Sequence, residues 1–216
     1  MAMTAPDPTP ASREAILDAA TDLFARQGLE STSIKEIGAA AGVNPALLYY
    51  YFADKLALYQ AVIERMVSNL PASLADIAQQ AETPASGIAA IIRRQAELFL
   101  AQPLLPRLIA RELADHEARH ATPFFREQTR RLLGGITGLI RAGQERGEFR
   151  TDLVAEHVAV SLLSQVNWFF IAGPVLEMIV DRPGSTRDAA SVRQFADHVV
   201  RFSMAGLEPS HPVSRS

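Results

Sequence analysis

Residues 33–55 read SIKEIGAAAGVNPALLYYYFADK, and this stretch divides itself into helices by its own punctuation. Ser33 followed three residues later by Glu36 is a capping box: the hydroxyl accepts from the Glu36 N–H while the carboxylate reaches back to the Ser33 N–H. Ile34, Ile37 and Ala41 then share one face, and Gly42 ends the helix. Asn44 and Pro45 supply a favoured N-cap and a favoured first helical residue, so a new helix starts there. In it Leu48 and Phe52 lie one turn apart on the inward side. Asp54 caps a longer helix from Lys55 to about Asn69, ended by Pro71. Two short helices joined by a glycine-containing turn form a helix-turn-helix unit.

Such a pair needs an apolar surface to pack on, and the preceding segment has one. Ser12 is read as the cap of a first helix whose apolar positions are Ile16, Ala19, Ala20, Leu23 and Phe24, a single stripe stopped at Gly28. Residues 1–11, rich in proline and small side chains, are read as a disordered arm. From Ser12 onward the period is helical throughout, and β-branched alternating runs bounded by turns are missing, so the expected class is all-α.

The stretch Arg13 to Tyr59 resembles the N-terminal DNA-binding domain of TetR-family transcriptional regulators. The shared frame runs through A-x-x-L-F-x-x-x-G (20–28), T-S-I-K-E-I (32–37), A-G-V-x-x-x-x-L-Y-x-Y-F (41–52) and x-D-K-x-x-L (53–58). The rest of the chain fits that family only in size and helical content. The resemblance implies an N-terminal three-helix DNA-binding domain (12–58), joined by a long helix to a helical effector-binding and dimerisation domain (59–207), with a disordered tail over 208–216.

Helix starts present free N–H groups and the positive end of a dipole, and phosphates are their natural ligands. This partly offsets a net charge of −3, which alone argues weakly against a nucleic-acid partner. Thr32, Ser33 and Lys35 stand where the family makes backbone contacts, and Lys55 resembles its phosphate-clamping lysine. Tyr49, Tyr50 and Tyr51 are three of the chain's four tyrosines. Tyr49 and Tyr50 cannot face the same way as Leu48 and Phe52, so their phenols are expected on phosphate oxygens, with Tyr50 also within reach of a base. Tyr51 reads equally well as packing. Asn44 has the chemistry to pair with adenine, though as an N-cap its side chain is partly engaged. Pro45, Ala46 and Leu47 offer apolar contact to thymine methyls. Leu47 departs from the small or polar residue many family members carry. With so little base-reading chemistry, DNA shape is expected to carry much of the specificity.

Further helices are expected from Thr83–Pro84 to about Ala101, Pro103 to about His116, Thr122–Pro123 to near Gly147, Asp152 to Ile171 before Gly173–Pro174, and about Thr186 to Leu207. The segment 161–171, SLLSQVNWFFI, is apolar around most of its circumference and needs partners on more than one face. The resemblance makes the last two long helices a four-helix bundle with a second subunit; a central helix in a monomer is the alternative. A homodimer would set two recognition helices about one duplex turn apart, ~34–36 Å, on a palindrome. Expected lining for a small apolar or aromatic effector is Phe99, Leu105, Ile109, Phe124, Phe125, Leu132, Trp168, Phe169 and Met178, any of which reads also as plain core.

No apolar run reaches the roughly 18 residues that cross a bilayer, no signal-peptide pattern opens the chain, and zero cysteines exclude disulfides and thiolate metal sites. The location expected is cytoplasmic, with no membrane partner and no cofactor. One pattern competes. Residues 116–120, HEARH, match H-E-x-x-H, the arrangement of a zinc hydrolase. Position 126, where an extended motif would place a third histidine, is arginine, and charged residues then a proline surround the segment. It is read as a solvated helix end, with no metal and no catalytic residue assigned. A metal-dependent hydrolase, or a metal-responsive regulator using His116 and His120, is the alternative.

Overall fold

A computed structural model of the chain describes residues 9–68, 74–179, 181, 184 and 186–209. All regular secondary structure among them is α-helical. Most of the arm expected over 1–11, the Pro71 stop and the tail from residue 210 lie outside those residues.

The chain divides into two compact units. The first holds α1 (Pro10–Ser31), α2 (Ile34–Ala41), α3 (Pro45–Tyr51), α4 (Lys55–Ser68) and α7 (Leu105–His116), with the loop after α7 and the first turn of α8 (Pro123–Glu145). Helix α1 starts earlier than Ser12: the Thr9 hydroxyl accepts from the Ser12 N–H at 3.1 Å and Pro10 takes the first helical position. A proline there costs no hydrogen bond, which is why the start falls on it. Ile16, Leu17, Ala20 and Phe24 form the buried stripe. Phe24 meets Tyr59 of α4 edge to face, ring centroids 5.1 Å apart. Burying a side chain of this size contributes roughly 1.5–3 kcal/mol, and the aromatic pair adds roughly 0.5–1.5 kcal/mol. Arg65 of α4 binds Asp18 at 2.8 Å and Glu14 at 3.2 Å and donates to the Thr21 hydroxyl at 2.9 Å. Arg111 of α7 donates to the carbonyls of Ala25 (3.2 Å) and Arg26 (2.7 Å) at the end of α1. Compactness thus groups α7 with the helix-turn-helix, across a gap in the chain that periodicity alone does not reveal.

The second unit holds α5 (Leu74–Gln80), α6 (Pro84–Ala101), the remainder of α8, α9 (Ala155–Ile171), α10 (Gly173–Ile179) and α11 (Ala189–Leu207). Helix α6 packs on α11, α9 and α5. Gln95 of α6 donates to Asn167 Oδ1 of α9 at 3.0 Å, a part-buried polar link between the two. Three starts differ from expectation. Asp152 chelates Arg150 (2.7 and 2.6 Å) instead of capping α9, which begins at Ala155. Gly173–Pro174 opens the short α10 rather than only closing α9. Asp188, accepting from Ser191 N at 2.8 Å, caps α11 two residues after Thr186. Helix α5 has no counterpart in the sequence reading, its seven residues being too short for a period to show. No single helix among the described residues is long and apolar enough to cross a membrane.

Candidate nucleic-acid interface

The capping box closes as drawn from the sequence: Glu36 N–H to Ser33 Oγ at 3.2 Å, and Ser33 N–H to Glu36 Oε2 at 2.8 Å. The Ser33 side-chain and backbone donors hold the Glu36 carboxyl below its ordinary range. Helix α2 ends at Gly42, in the left-handed conformation (φ 67°) that glycine adopts without strain. Val43 N–H returns to Gly38 O at 2.9 Å. Gly38 is a requirement the sequence reading missed. A Cβ there would lie 3.1 Å from both the Val43 carbonyl oxygen and Pro45 Cγ, so the tight approach of α2 to the start of α3 depends on its absence. Asn44 Oδ1 accepts from Ala46 N at 2.9 Å, occupying that side chain as the N-cap. Ile37 and Leu48 are fully buried between the two helices.

What this leaves outward is the candidate face. Ser33, Lys35, Asn44 and Ala46 are exposed, Pro45 and Leu47 half-buried. Tyr49 and Tyr50 are 60% and 69% exposed, two large aromatics in water whose hydroxyls bond nothing among the described residues. Tyr51 is half-buried and differs from them. Its hydroxyl donates to the Thr9 carbonyl at 2.8 Å, tying α3 to the start of α1, while its ring meets Tyr50 edge-on at 5.0 Å.

Two expected phosphate ligands are otherwise engaged. Thr32 is 1% exposed, and its hydroxyl donates to Gly28 O at 2.7 Å. Lys55 Nζ donates to the carbonyls of Leu29 (2.8 Å), Thr32 (3.1 Å) and Glu30 (3.3 Å). An ammonium has three N–H donors and no more. Past the break at Gly28 (φ 84°, ψ 172°), Lys55 gathers these carbonyls, that of Leu29 alongside the Thr32 N–H at 3.4 Å.

The expected effector-lining residues do not converge on one cavity. Leu105, Ile109 and Phe125 do border a cleft with Ile63, Val67 and Leu113, between α4, α7 and the first turn of α8. Its interior is about 20 Å³, room for about one water. Phe99 is buried edge-on against Phe170 at 5.5 Å, and Phe169 stacks on Phe195 at 4.1 Å. Leu132 is half-buried. Phe124, Trp168 and Met178 are 40%, 65% and 73% exposed and do not border that cleft. On a helix apolar around its circumference, periodicity cannot say which side faces its own core.

The HEARH segment is not one helix. Helix α7 ends at His116, and Glu117 (φ 52°) and Ala118 (φ 59°) turn left-handed. Their N–H groups return to Leu113 O (3.2 Å) and Glu112 O (3.1 Å). Glu117 is exposed in the turn, so the hydrolase arrangement of two histidines flanking a glutamate on one helical face is absent. Nor is the segment simply a solvated end. The reversal carries His120 back until its ring centroid lies 4.4 Å from that of His116, beside the buried Glu112. Glu112 went unnoticed in the sequence, although Glu112 and His116 have the i, i+4 spacing of one helix face.

Residues 16–62 match the profile of "Bacterial regulatory proteins, tetR family", and residues 84–202, more than half of the chain, match "Tetracyclin repressor-like, C-terminal domain". The chain is similar to the HTH-type transcriptional repressor NicS of Pseudomonas putida, 26% identical over 157 residues covering 71% of this chain and 73% of that protein. It is also similar to the HTH-type transcriptional regulator RutR of Escherichia coli, 26% identical over 206 residues and 92% of each. Among solved structures, the fold resembles that of the transcriptional regulator FadR from Bacillus subtilis in complex with stearoyl-CoA. There the TM-score is 0.64 at 16% identity, covering 90% of this chain and 99% of that one.

Proposed function

The chain belongs to the tetR family of bacterial regulatory proteins, and from that premise we propose how it works as an effector-responsive, DNA-binding transcriptional repressor. The observation that carries the reading is the exposed edge of α2 and α3. Ser33 and Lys35 stand exposed at the start of α2, and Tyr49 and Tyr50 stand exposed on α3, their hydroxyls without a hydrogen-bond partner among the described residues. The free N–H groups at the start of α2 and these phenols are donors for phosphate oxygens. Asn44, Pro45, Ala46 and Leu47 meet the base edges. Lys55 and Thr32 act one step back, by holding the α1–α2 connection in place, and Tyr51 does so by anchoring α1.

A homodimer on a palindromic operator is the proposed binding form. Val160 and Trp168 of α9 and Phe202 of α11 are 54%, 65% and 65% exposed, apolar surface of the kind that a partner covers. The proposed effector is a small apolar or aromatic molecule entering the cleft between α4 and α7. A drug-sized ligand needs roughly 300–1,000 Å³, so the cleft must widen to admit one. Widening moves α4, and with it Lys55 and its hold on the α1–α2 connection. An effector that favours the widened state favours the released protein. FadR, a transcriptional regulator of similar fold, is solved in complex with stearoyl-CoA. We read the protein as cytoplasmic and as a regulator rather than an enzyme, its relatives being regulators.

The test is a mobility shift with the DNA upstream of the chain's own gene at two salt concentrations. Specific retardation that weakens as salt rises supports the reading. Equal affinity for unrelated duplexes, or none for any, refutes it.

A further inference from the structure

We propose that Glu112, His116 and His120 form a binding site for a divalent transition-metal cation, zinc being the reference ion. Each offers one ligand atom, and the three atoms lie within 4.8 Å of one another. His120 Nδ1 and Glu112 Oε2 are 3.4 Å apart. That is about the separation of two ligand atoms at 2.0–2.1 Å from one tetrahedral zinc. His116, half-buried on the last turn of α7, closes the triangle from the same helix face as Glu112.

Independent features point to a missing positive partner. Glu112 is 3% exposed, and among the described residues its one ion-pair neighbour is His120; no arginine or lysine pairs with it. A carboxylate buried to that degree needs a compensating charge. His120 Nδ1 is also buried and has no hydrogen-bond partner among the described residues. A buried ring nitrogen without a hydrogen bond, 3.4 Å from a buried carboxylate that no arginine or lysine pairs with among the described residues, is a donor set that a metal ion satisfies. The carboxylate is held in position as well. Tyr59 Oη donates to Oε2 at 3.0 Å and His120 N–H to Oε1 at 2.8 Å. Hydrogen bonds that orient a ligating carboxylate are a recurrent part of metal sites. The successive left-handed residues Glu117 and Ala118, a conformation unfavourable for side chains other than glycine, are what return His120 to the site.

Two imidazoles and one carboxylate suit zinc, cobalt or nickel; calcium and magnesium prefer all-oxygen sites. The site lies within the unit that carries the helix-turn-helix, and Tyr59 links it to α4 and to Phe24 of α1. A bound ion would therefore fasten the loop after α7 to the last turns of that helix, beside Tyr59 of α4. Metal affinity does not depend on operator binding, so either proposal can fail alone.

The experiment uses the full, tag-free chain, stripped with chelator and titrated with Co²⁺ and then Zn²⁺. One visible Co²⁺ band per chain, displaced by one equivalent of Zn²⁺, is expected. His116→Ala and His120→Ala should each weaken the affinity at least about tenfold, and His157→Ala and His198→Ala should leave it unchanged. Should a variant fail to fold, imidazole resonances of the parent give the answer without substitution: Zn²⁺ should move the signals of His116 and His120. No uptake at micromolar Zn²⁺, undiminished affinity in a His116→Ala/His120→Ala double variant, or shifts confined to the other histidines would overturn the proposal.

Discussion

Lys55 Nζ donates to the Leu29 carbonyl oxygen at 2.8 Å, across 26 residues of sequence. With Glu30 and Thr32 completing the set, the ammonium closes the end of α1 at the point where Gly28 interrupts it. Replacing Lys55 by methionine keeps the aliphatic stem and removes the donors. The expected loss of stability is about 1–3 kcal/mol, read by urea unfolding. A variant as stable as the parent but weak on DNA would return Lys55 to the role of phosphate ligand.

Ser33→Ala removes the N-cap of α2 and should cost about 1 kcal/mol at neutral pH. The pH dependence has a definite sign. Glu36 is held below the unfolded value near 4.5 by Ser33. Its contribution is present above that value and is lost as pH falls through the folded one. The difference between parent and Ser33→Ala should therefore narrow on acidification below about pH 4.5, in paired unfolding curves. A gap that stays constant with pH would separate the two residues.

Gly38→Ala sets two effects against each other. Alanine in a helix interior gains up to about 1 kcal/mol over glycine. Against it, the new methyl would press on the Val43 carbonyl, a backbone atom fixed by its own turn, and on Pro45. Overpacking of this kind costs typically about 1–3 kcal/mol, so a net loss is expected together with weaker operator binding. A stabilised variant would mean that the turn yields freely.

Within residues 33–45, where roles rest on near neighbours, the sequence was a sufficient guide; at Ser12 a neighbouring residue took the expected cap, and at Asp152 the expected cap paired elsewhere. The Ser33–Glu36 box, the Gly42 stop and the Asn44–Pro45 start each rest on groups within three or four positions, and each is present. Roles set by distant segments were not legible. Lys55 looks like a free cation until the broken end of α1 is folded against it, and Thr32 looks exposed until its hydroxyl finds Gly28 O. Trp168 reads as lining because its helix is apolar on several sides, yet it faces out, and Met178, also read as lining, is exposed too. Glu112 acquires its neighbours only because two left-handed residues fold His120 back and α4 supplies Tyr59.

The most direct test of the DNA-binding face is a fluorescence-anisotropy titration of the upstream operator with a Tyr49→Ala/Tyr50→Ala variant. Both side chains lie mostly in solvent, so the fold should survive their loss. Two hydrogen bonds to charged oxygens at about 1.5 kcal/mol each predict a Kd raised by about a hundredfold. The salt slope should hold, because neutral phenols release no counterions. A folded double variant that binds the operator as tightly as the parent would contradict the account.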